Sequence, residues 1–363
     1  MDFFDSFTSN TTAGSANQLY FTMNDNEVHT GRVFYKITVG GTFGYSLLFS
    51  NVIDSTYADG SISRKNLECP EWSIHSARVG RCSRIDDVQN GNSIEVFDFK
   101  DLTFDLKKQK DVKKGEIFCS DRTTLTYREG EYLCLEMTFS GKMIPYHEET
   151  LLPVFVKEKN GWTASKHMPF PSMIGCDRPI KKRIAFFGDS ITQGCGTGIN
   201  TYAHWNALLA QRIGKENAYW NLGIGYGRAS DAASDGSWMY KAKQNDVIFV
   251  CLGVNDVFHS DSAQTIIKDV ERIVDILKAE GKTVILQTLP PFDCTGTCLE
   301  RWSRVNDYIR NNLSSKVKLV FDTVPVLAKN EKEPHMAKYG GHPDAEGCRK
   351  WADSLYEATK DII

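Results

Sequence analysis

One twelve-residue segment constrains the fold of this chain more than any other. Residues 183–194 read R-I-A-F-F-G-D-S-I-T-Q-G, and their apolar run, residues 184–187, leads directly into Gly188, Asp189 and Ser190. A buried strand that ends in such a tight turn leaves a hydroxyl at the carboxyl edge of a sheet, where open α/β folds bind their ligands. The segment therefore predicts a parallel α/β sheet with Ser190 at its edge.

Ser190 has two interpretations at this stage. It is either a nucleophile or the N-cap of the helix that follows the strand, a position that serine favours. The familiar serine elbow G-x-S-x-G is absent because Thr192 occupies the second glycine position. Asp189 is expected to brace the turn and not to act as a base, since its side chain should diverge from that of Ser190.

Three further features follow in chain order. A glycine-rich stretch, residues 221–227, comes after a second probable strand, and residues 253–256 (G-V-N-D) come after the apolar run 247–252. His342 and Pro343 lie just before the last probable helix. Acyl transfer needs a nucleophile, a base and donors for the oxyanion, and these residues can supply all three.

Together these segments resemble the four signature blocks of the SGNH (GDSL-type) hydrolase superfamily, and the resemblance covers about half of the chain, residues 181–363. It implies a serine esterase in which Ser190 attacks the ester carbonyl. His342 would accept the proton of Ser190 and return it to the leaving alcohol. The Ser190 N–H, the Asn255 side-chain amide and one N–H of the second block would form the oxyanion hole.

The second block departs from the family pattern. The family usually has a glycine five residues after the asparagine that opens the block, and counting from Asn221 gives Tyr226, flanked by Gly225 and Gly227. A backbone donor does not require glycine. The expected oxyanion donor of this block is therefore the N–H of Gly225 or that of Tyr226.

A second departure concerns the third member of the family triad, an aspartate three residues before the histidine. Tyr339 stands there instead. A backbone carbonyl or another carboxylate can orient an imidazole, and some carbohydrate esterases of this superfamily work as Ser–His dyads. Candidate substitutes are Asp344, Glu346 and Asp322, although Asp344 is expected to cap the final helix.

The hydropathy pattern divides the chain between residues 178 and 179. Residues 1–178 are predicted to form an antiparallel β-sandwich, jelly-roll-like, because short β-rich runs recur without a long helical period. The predicted strands there are residues 33–39, 45–49, 94–99, 102–106, 123–127, 132–139 and 151–156. A proline-punctuated passage that includes residues 168–171 and 177–179 resembles an ordered linker.

Residues 179–363 alternate between strands and amphipathic helices. Residues 262–280 carry one apolar stripe, and Gly281 is placed to end that helix. Helical crossovers between strands predict a flavodoxin-like, doubly wound parallel sheet of the α/β class. The predicted strands, besides residues 184–187, are residues 218–222, 247–252, 283–289 and 317–321.

Composition limits the partners. The 363 residues are 41% hydrophobic and 25% charged, with a net charge of −3, which excludes a disordered chain and shows no basic footprint for nucleic acid or membrane. Residues 1–18 lack the basic start and apolar core of a signal peptide, so we expect a cytoplasmic protein. The expected partner is a small neutral molecule.

The ten cysteines are scattered and are interpreted as reduced and mostly structural. Cys294 and Cys298 form the one close pair, but no second pair or histidine lies nearby in sequence, so we expect a plain loop. The sequence therefore predicts neither a metal nor a cofactor.

Aromatic residues follow several strand ends, where loops would surround the site. Trp205 and Trp302 are the expected substrate contacts, because aromatic faces stack on sugar rings. The further aromatic residues in such segments are Trp238, Tyr240, Phe258 and Phe292. The N-terminal region weakly resembles the β-domains that precede SGNH domains in bacterial carbohydrate esterases, and would be either a structural domain or a sugar-binding module.

The sequence thus predicts a serine esterase that removes a short acyl group, in particular acetyl, from a carbohydrate. Two alternatives remain open. One is an esterase or thioesterase for other short acyl chains, and the other is a carbohydrate-binding protein whose hydrolase site is degenerate.

Overall fold

The computed structural model describes residues 3–14, 16–24, 27–55, 65–259 and 262–363. The chain divides into two compact units. The first comprises Met1–Asp54 and Asn66–Pro179, and the second comprises Ser55–Lys65 and Ile180–Ile363. The change from the first unit to the second after Pro179 lies next to the predicted division between residues 178 and 179.

The first unit consists almost entirely of strands. Its elements are α1 (Phe3–Ser6), β1 (Thr8–Ser9), β2 (Leu19–Thr22), β3 (His29–Lys36), β4 (Gly41–Ser50), β5 (Val52–Ile53), β6 (Leu67–Glu68), β7 (Trp72–Cys82), a 3-10 helix (Gly91–Ser93), β8 (Phe97–Asp101), β9 (Lys110–Val112), β10 (Ile117–Cys119), β11 (Thr123–Tyr127), β12 (Tyr132–Gly141), β13 (Met143–Tyr146), β14 (Val154–Glu158), β15 (Gly161–Ala164) and β16 (Met173–Cys176).

Two antiparallel sheets contain most of these strands, and β2 with β13 and β5 with β6 form separate pairs. The five-stranded sheet has the order β1-β16-β4-β10, with β11 also paired to β4. The seven-stranded sheet has the order β15-β14-β3-β12-β7-β8, with β9 also paired to β7. The prediction of a separate β-rich domain before the α/β domain is confirmed.

Side chains on β12 show how the seven-stranded sheet is covered. Leu133 and Leu135 are fully buried, and Cys134 between them is fully buried as well. Because successive strand residues point to opposite faces, both faces of β12 lie in apolar surroundings. Cys134 packs with Phe34 and Phe155 on its face, and the Tyr127 hydroxyl of the five-stranded sheet donates to the Gly80 carbonyl of β7 (3.3 Å).

The predicted strand at residues 102–106 is wrong. Asp105 and Leu106 adopt positive φ angles of 51° and 64°, which is incompatible with a strand. The Asp121 carboxylate holds this turn, accepting from the Thr103 hydroxyl (2.6 Å) and from the Leu106 N–H (2.8 Å). Leu102 and Phe104 are buried in this turn, whereas Leu106 is exposed, because Asp121, a side chain distant in sequence, supplies the hydrogen bonds that hold the turn.

The predicted linker is also wrong over most of its length. Met168 and Phe170 are buried, and the Ser172 N–H donates to the Leu48 carbonyl (2.6 Å). Directly afterwards β16 pairs with both β1 and β4. Pro169 and Pro171 lie just before β16, outside its paired residues, so they remove no hydrogen bond from the sheet.

The second unit alternates helices and strands. Its elements are β17 (Arg183–Gly188), α2 (Ser190–Gln193), α3 (Trp205–Ile213), β18 (Ala218–Asn221), α4 (Ala229–Ala232), α5 (Ser237–Lys243), β19 (Val247–Cys251), α6 (Val254–Phe258), α7 (Ala263–Ala279), β20 (Thr283–Gln287), α8 (Gly296–Asn312), β21 (Leu319–Phe321), α9 (Val324–Leu327), β22 (Ala328–Asn330), β23 (Glu333–Ala337) and α10 (Ala345–Thr359).

These strands confirm the predicted flavodoxin-like sheet. The order is β18-β17-β19-β20-β21, and each neighbouring pair is parallel. In chain order this is 2-1-3-4-5, the arrangement in which ligands bind where the order reverses, beside the first strand. Ser190 follows that first strand directly.

Helices cover both faces of this sheet. Phe186 and Phe187 are successive residues of β17 and therefore point to opposite faces. The Phe186 ring contacts Trp205 of α3 (5.4 Å between centroids), whereas the Phe187 ring contacts Trp238 of α5 (4.5 Å). The sheet is thus doubly wound, and Trp205 also stacks on Trp351 of α10 (4.8 Å).

The helix α7 ends where the sequence predicts. Gly281 has a φ of +69°, and its N–H donates to the Lys278 carbonyl (2.9 Å). The next N–H, of Lys282, donates to the Leu277 carbonyl (3.1 Å). These two bonds form a Schellman motif, which satisfies carbonyls that the helix itself leaves without partners.

We predict that Gly281→Ala lowers the free energy of unfolding by about 1 kcal/mol, because a Cβ disfavours the left-handed conformation. No atom lies within 4 Å of the position that the Cβ would take, so the cost is conformational and not steric. Gly281→Asn is the matched control, and its free energy of unfolding should fall by less, since asparagine tolerates positive φ. Thermal and urea unfolding measure both, and equal losses in the two variants would contradict this account.

Candidate active site

Ser190 is the first residue of α2 and is 8% exposed. The N-cap of α2 is Asp189, whose Oδ1 accepts a hydrogen bond from the Ile191 N–H (3.0 Å). Of the two interpretations of Ser190, the N-cap role therefore falls to its neighbour. The Ser190 Oγ instead lies 2.8 Å from Nε2 of His342.

Two glycines allow the chain to turn this sharply after β17. A Cβ on Gly188 would lie 2.0 Å from the Thr192 Oγ1 and 2.6 Å from the Cys251 carbonyl oxygen. A Cβ on Gly223 would lie 2.1 Å from the backbone nitrogen of Gln193. The second glycine-rich block thus packs directly against the backbone of α2, and a side chain at either position would displace the turn that carries Ser190.

Asp189 is buried and makes no hydrogen bond to His342 among the described residues. Burial raises the pKa of its carboxyl to about 7, and the neighbouring charge of Asp256 adds to this, whereas the Ile191 N–H lowers it. The expectation that Asp189 braces the turn agrees with this geometry.

His342 lies in a turn that leads into α10. The Asp344 N–H donates to the Tyr339 carbonyl and closes the turn (3.0 Å), and Pro343 is buried. From the other side, Gly196 approaches so closely that a Cβ on it would lie 2.7 Å from the His342 carbonyl oxygen. The backbone position of His342 is therefore determined by packing. Desolvation lowers the pKa of its imidazole from 6.5, although part of the residue is exposed.

Within the described residues, Ser190 is the one hydrogen-bond partner of the His342 ring. Tyr339, at the usual aspartate position, packs its ring against Gly347 and beneath the Lys338 ammonium (5.2 Å). Its side chain therefore has apolar and cation–π contacts and does not orient the imidazole.

The proposed substitute carboxylates are engaged elsewhere or lie apart. Asp344 caps α10, accepting from the Gly347 N–H (2.9 Å). Asp322 accepts from the Arg310 guanidinium (3.0 Å) and from the Thr288 hydroxyl (2.9 Å). Glu346 is exposed, and across the described ranges no carboxylate hydrogen-bonds to His342.

Asn255 is the second residue of α6, at the carboxyl end of β19. Its Nδ2 donates to the Gly227 carbonyl (2.9 Å). The next residue, Asp256, is fully buried and accepts from the Ala229 N–H at the start of α4 (2.9 Å). Asn255 therefore holds the C-terminal end of the second block and Asp256 holds the start of α4 just after it, a role of Asp256 that the sequence analysis did not identify.

The second block forms a tight turn beside Ser190. The Ile224 N–H donates to the Gly188 carbonyl (3.1 Å), and the Gly227 N–H donates back to the Ile224 carbonyl (3.0 Å). At its apex Tyr226 has a φ of +58° and is 39% exposed, whereas Gly225 is buried. In the part of the chain that the structure describes, the N–H groups of Ser190 and Gly225 donate to no other residue.

The substrate contacts predicted for Trp205 and Trp302 are wrong. Trp205 is completely buried between Phe186 and Trp351. Trp302 is 3% exposed, and its Nε1 donates to the carbonyls of Leu289 and Pro290 (3.2 and 3.1 Å). A ring enclosed by the core cannot stack on a ligand, and sequence alone does not distinguish a core tryptophan from an exposed one.

The remaining aromatic residues differ in their exposure. Trp238 is buried, and its Nε1 donates to the Leu222 carbonyl (2.8 Å). Phe258 is 63% exposed and lies 5.7 Å from the ring of Phe292. Tyr240 is 40% exposed, on the last turn of α5.

The structure holds no disulfide, and all ten cysteines are free thiols. Cys298 lies in the first turn of α8, so the predicted loop ends before it. Among the described residues, no cluster of three or more His, Cys, Asp or Glu side chains has the arrangement to hold a metal ion. None of the described helices is long and apolar enough to cross a membrane.

A serine hydroxyl hydrogen-bonded to an imidazole, at the carboxyl edge of an open parallel sheet, is the arrangement of an α/β serine hydrolase. Within that class, residues 186–350 match the GDSL-like Lipase/Acylhydrolase family. Residues 186–350 therefore form a GDSL-like lipase/acylhydrolase domain, which is a serine hydrolase domain of the SGNH type. The match leaves an N-terminal domain of about 185 residues uncovered.

Solved structures similar to this chain cover about half of it. A G-D-S-L family protein from Desulfitobacterium hafniense DCB-2 is 22% identical and covers 49% of this chain and 99% of its own, with a TM-score of 0.41. A carbohydrate acetylesterase from Sinorhizobium meliloti is 14% identical, with 50% and 100% coverage and a TM-score of 0.42. An acetyl xylan esterase is 20% identical, with 50% and 100% coverage and a TM-score of 0.40. No curated protein sequence matches the chain.

Proposed function

We propose that this enzyme is an esterase that removes short acyl groups, in particular acetyl, from carbohydrate, with Ser190 and His342 as its catalytic pair. The observation that carries the proposal is the 2.8 Å hydrogen bond between the Ser190 Oγ and the His342 Nε2. This distance lies within the range at which a base accepts the proton of a nucleophile.

In the proposed reaction the Ser190 Oγ bonds to the ester carbonyl carbon while its proton passes to the His342 Nε2. The tetrahedral intermediate collapses, the bond to the alcohol oxygen breaks, and His342 returns the proton to that oxygen. Water then attacks the acyl-enzyme in the same way and releases the acid. The lowered pKa of His342 keeps its imidazole neutral, and therefore able to accept a proton, at neutral pH.

The proposed oxyanion hole consists of the Ser190 N–H, the Gly225 N–H and the Asn255 side-chain amide. The first two N–H groups have no acceptor in the described structure. One amide hydrogen of Asn255 is held by the Gly227 carbonyl, which leaves the second for the oxyanion. We favour Gly225 over Tyr226 because its N–H is uncommitted. Each such donor contributes about a hundred- to a thousandfold in rate.

We propose that the pair works as a dyad. In a full triad the acid holds the imidazole in the correct tautomer, and its loss can cost about four orders of magnitude. Here the close approach of Gly196 and the hydrogen bond from Asp344 to Tyr339 restrict the backbone of His342. Restriction by packing replaces part of what the missing carboxylate would supply.

The carbohydrate class is supported by the exposed ring of Phe258, which lies one helical turn after Asn255, and by the weak resemblance of the N-terminal region to the β-domains of bacterial carbohydrate esterases. The alternative is an esterase or thioesterase for other short acyl chains. Both use the same catalytic pair, so substrate panels distinguish them.

We predict that Ser190→Ala and His342→Ala each reduce turnover of p-nitrophenyl acetate by at least about a thousandfold, and that the double variant loses little more, because the residues act as one unit. Ser237→Ala is the matched control, since Ser237 is also the first residue of a short helix, and it should retain full activity. The melting temperatures should stay within a few degrees. A Ser190→Ala variant that keeps a tenth of wild-type turnover would exclude Ser190 as the nucleophile.

Tyr339 tests the dyad. Tyr339→Phe should retain most activity, because the phenol donates to no described residue. For the wild-type enzyme, the acid limb of the pH profile of kcat/KM should have its midpoint below pH 6.5, since desolvation lowers the pKa of His342. Tyr339→Asp should raise that midpoint, because a nearby carboxylate favours the imidazolium, while increasing the rate by less than about tenfold. A gain of several orders of magnitude would show that wild-type His342 is poorly oriented.

Acyl chain length tests the substrate. We predict that kcat/KM is highest for acetyl esters and falls steeply beyond butyryl, because a site open to a sugar offers little enclosed apolar surface to a long chain. The measurement uses p-nitrophenyl acetate, butyrate and octanoate, together with acetyl thioesters and acetylated oligosaccharides scored for released acetate. A preference for octanoyl esters would reject the carbohydrate proposal, and preferred thioester turnover would favour the alternative.

A further inference from the structure

Phe258 is the most exposed of the large hydrophobic side chains described in the C-terminal unit, at 63%. An exposed phenylalanine contributes little to folding, because its apolar surface stays in water. A single exposed apolar residue is common on protein surfaces. Its location relative to the catalytic residues makes this one informative.

Phe258 lies close to Asn255 on one side. Both belong to α6, three residues apart, so they occupy neighbouring positions on one face of the helix. The end of this helix is held in place by Arg301, whose Nη1 donates to the Val257 carbonyl (2.8 Å). Phe258 is therefore presented from an anchored helix end.

Phe292 connects this ring to His342. The rings of Phe258 and Phe292 are 5.7 Å apart and inclined by 36°. The Cβ of Phe292 lies 3.5 Å from the position that a Cβ on Gly341 would take, directly before His342. The next residue, Asp293, forms two hydrogen bonds with β23, the strand that precedes the His342 turn. Its N–H donates to the His335 carbonyl (3.0 Å), and its carboxylate accepts from the Ala337 N–H (2.7 Å).

We propose that Phe258, whose ring packs against the largely buried ring of Phe292 (8% exposed), forms the surface that binds the leaving alcohol of the substrate, and that this alcohol is a pyranose ring. The inference rests on the proposed function. His342 must return a proton to the alcohol oxygen, so that oxygen lies within hydrogen-bond reach of Nε2. Side chains that border the His342 turn therefore face the leaving group, whereas the acyl carbonyl oxygen lies at the oxyanion donors.

The chemistry of the pair fits a ring-shaped alcohol. A pyranose presents a flat face of C–H groups that packs against an aromatic ring, and its hydroxyls stay in water at the rim. The exposed ring of Phe258 suits this better than a closed pocket, because a sugar within a longer chain has neighbours on both sides. An aryl alcohol shares the flat shape, and the test separates the two.

The experiment compares kcat/KM for three acetate esters: ethyl acetate, p-nitrophenyl acetate and a monoacetylated methyl xylopyranoside. We expect Phe258→Ala to reduce the value for the pyranoside about tenfold or more, mainly through KM, and to leave ethyl acetate within about twofold. Phe258→Tyr keeps the ring and should restore the pyranoside value. Phe258 is chosen over Phe292 because its exposed side chain contributes little to folding, whereas Phe292 is buried.

Tyr240→Ala is the matched control, because Tyr240 is also an exposed aromatic residue (40%) but lies on the last turn of α5, which leads to the opposite, amino end of β19. It should leave all three kcat/KM values unchanged.

An equal reduction of kcat/KM for all three esters in Phe258→Ala, or no reduction, would overturn the inference while the proposed function stands. A loss confined to the aryl ester would assign the surface to aryl alcohols and reject the pyranose. A wild-type enzyme inactive on all three esters would overturn the proposed function and this inference together.

Discussion

The close backbone contact between the end of β17 and the second block is the constraint on which the site depends. A Cβ on Gly188 or Gly223 would overlap Thr192, Cys251 or Gln193, so the chain can turn here only without side chains. This contact places Ser190 at the start of α2 with its hydroxyl directed to His342. The hydrogen bond from the Ile224 N–H to the Gly188 carbonyl joins the second block to the same turn.

The imidazole is positioned by a different principle from that of a full triad. A carboxylate would fix both the ring orientation and the tautomer through one hydrogen bond. In this protein the residues on either side of His342 are restricted by packing and by a capped helix, and the desolvated ring keeps a lowered pKa. In the proposed dyad such a base is neutral over a wider pH range, but its tautomer is selected less strongly, so the rate would depend on local packing.

Sequence patterns predicted the structure correctly where the residues that interact lie within one short segment. The Schellman end of α7 and the strands of the parallel sheet depend on residues close in sequence or on continuous apolar runs. The errors lie where a distant residue decides the outcome. Asp121 holds residues 102–106 as a turn. Residues of the expected linker form β16 because they pair with β4, and Trp205 is buried because Trp351 stacks on it.

The sequence by itself determined the class of fold, the family of the C-terminal domain and the candidate nucleophile and base, because motif order and hydropathy period are local properties. Tertiary structure alone decided which groups meet. It brought the Ser190 hydroxyl within 2.8 Å of His342 across the chain and left no described carboxylate on the imidazole. It also buried the two tryptophans while exposing Phe258, because burial depends on which helices pack on which face of the sheet, and no pattern within one segment specifies that.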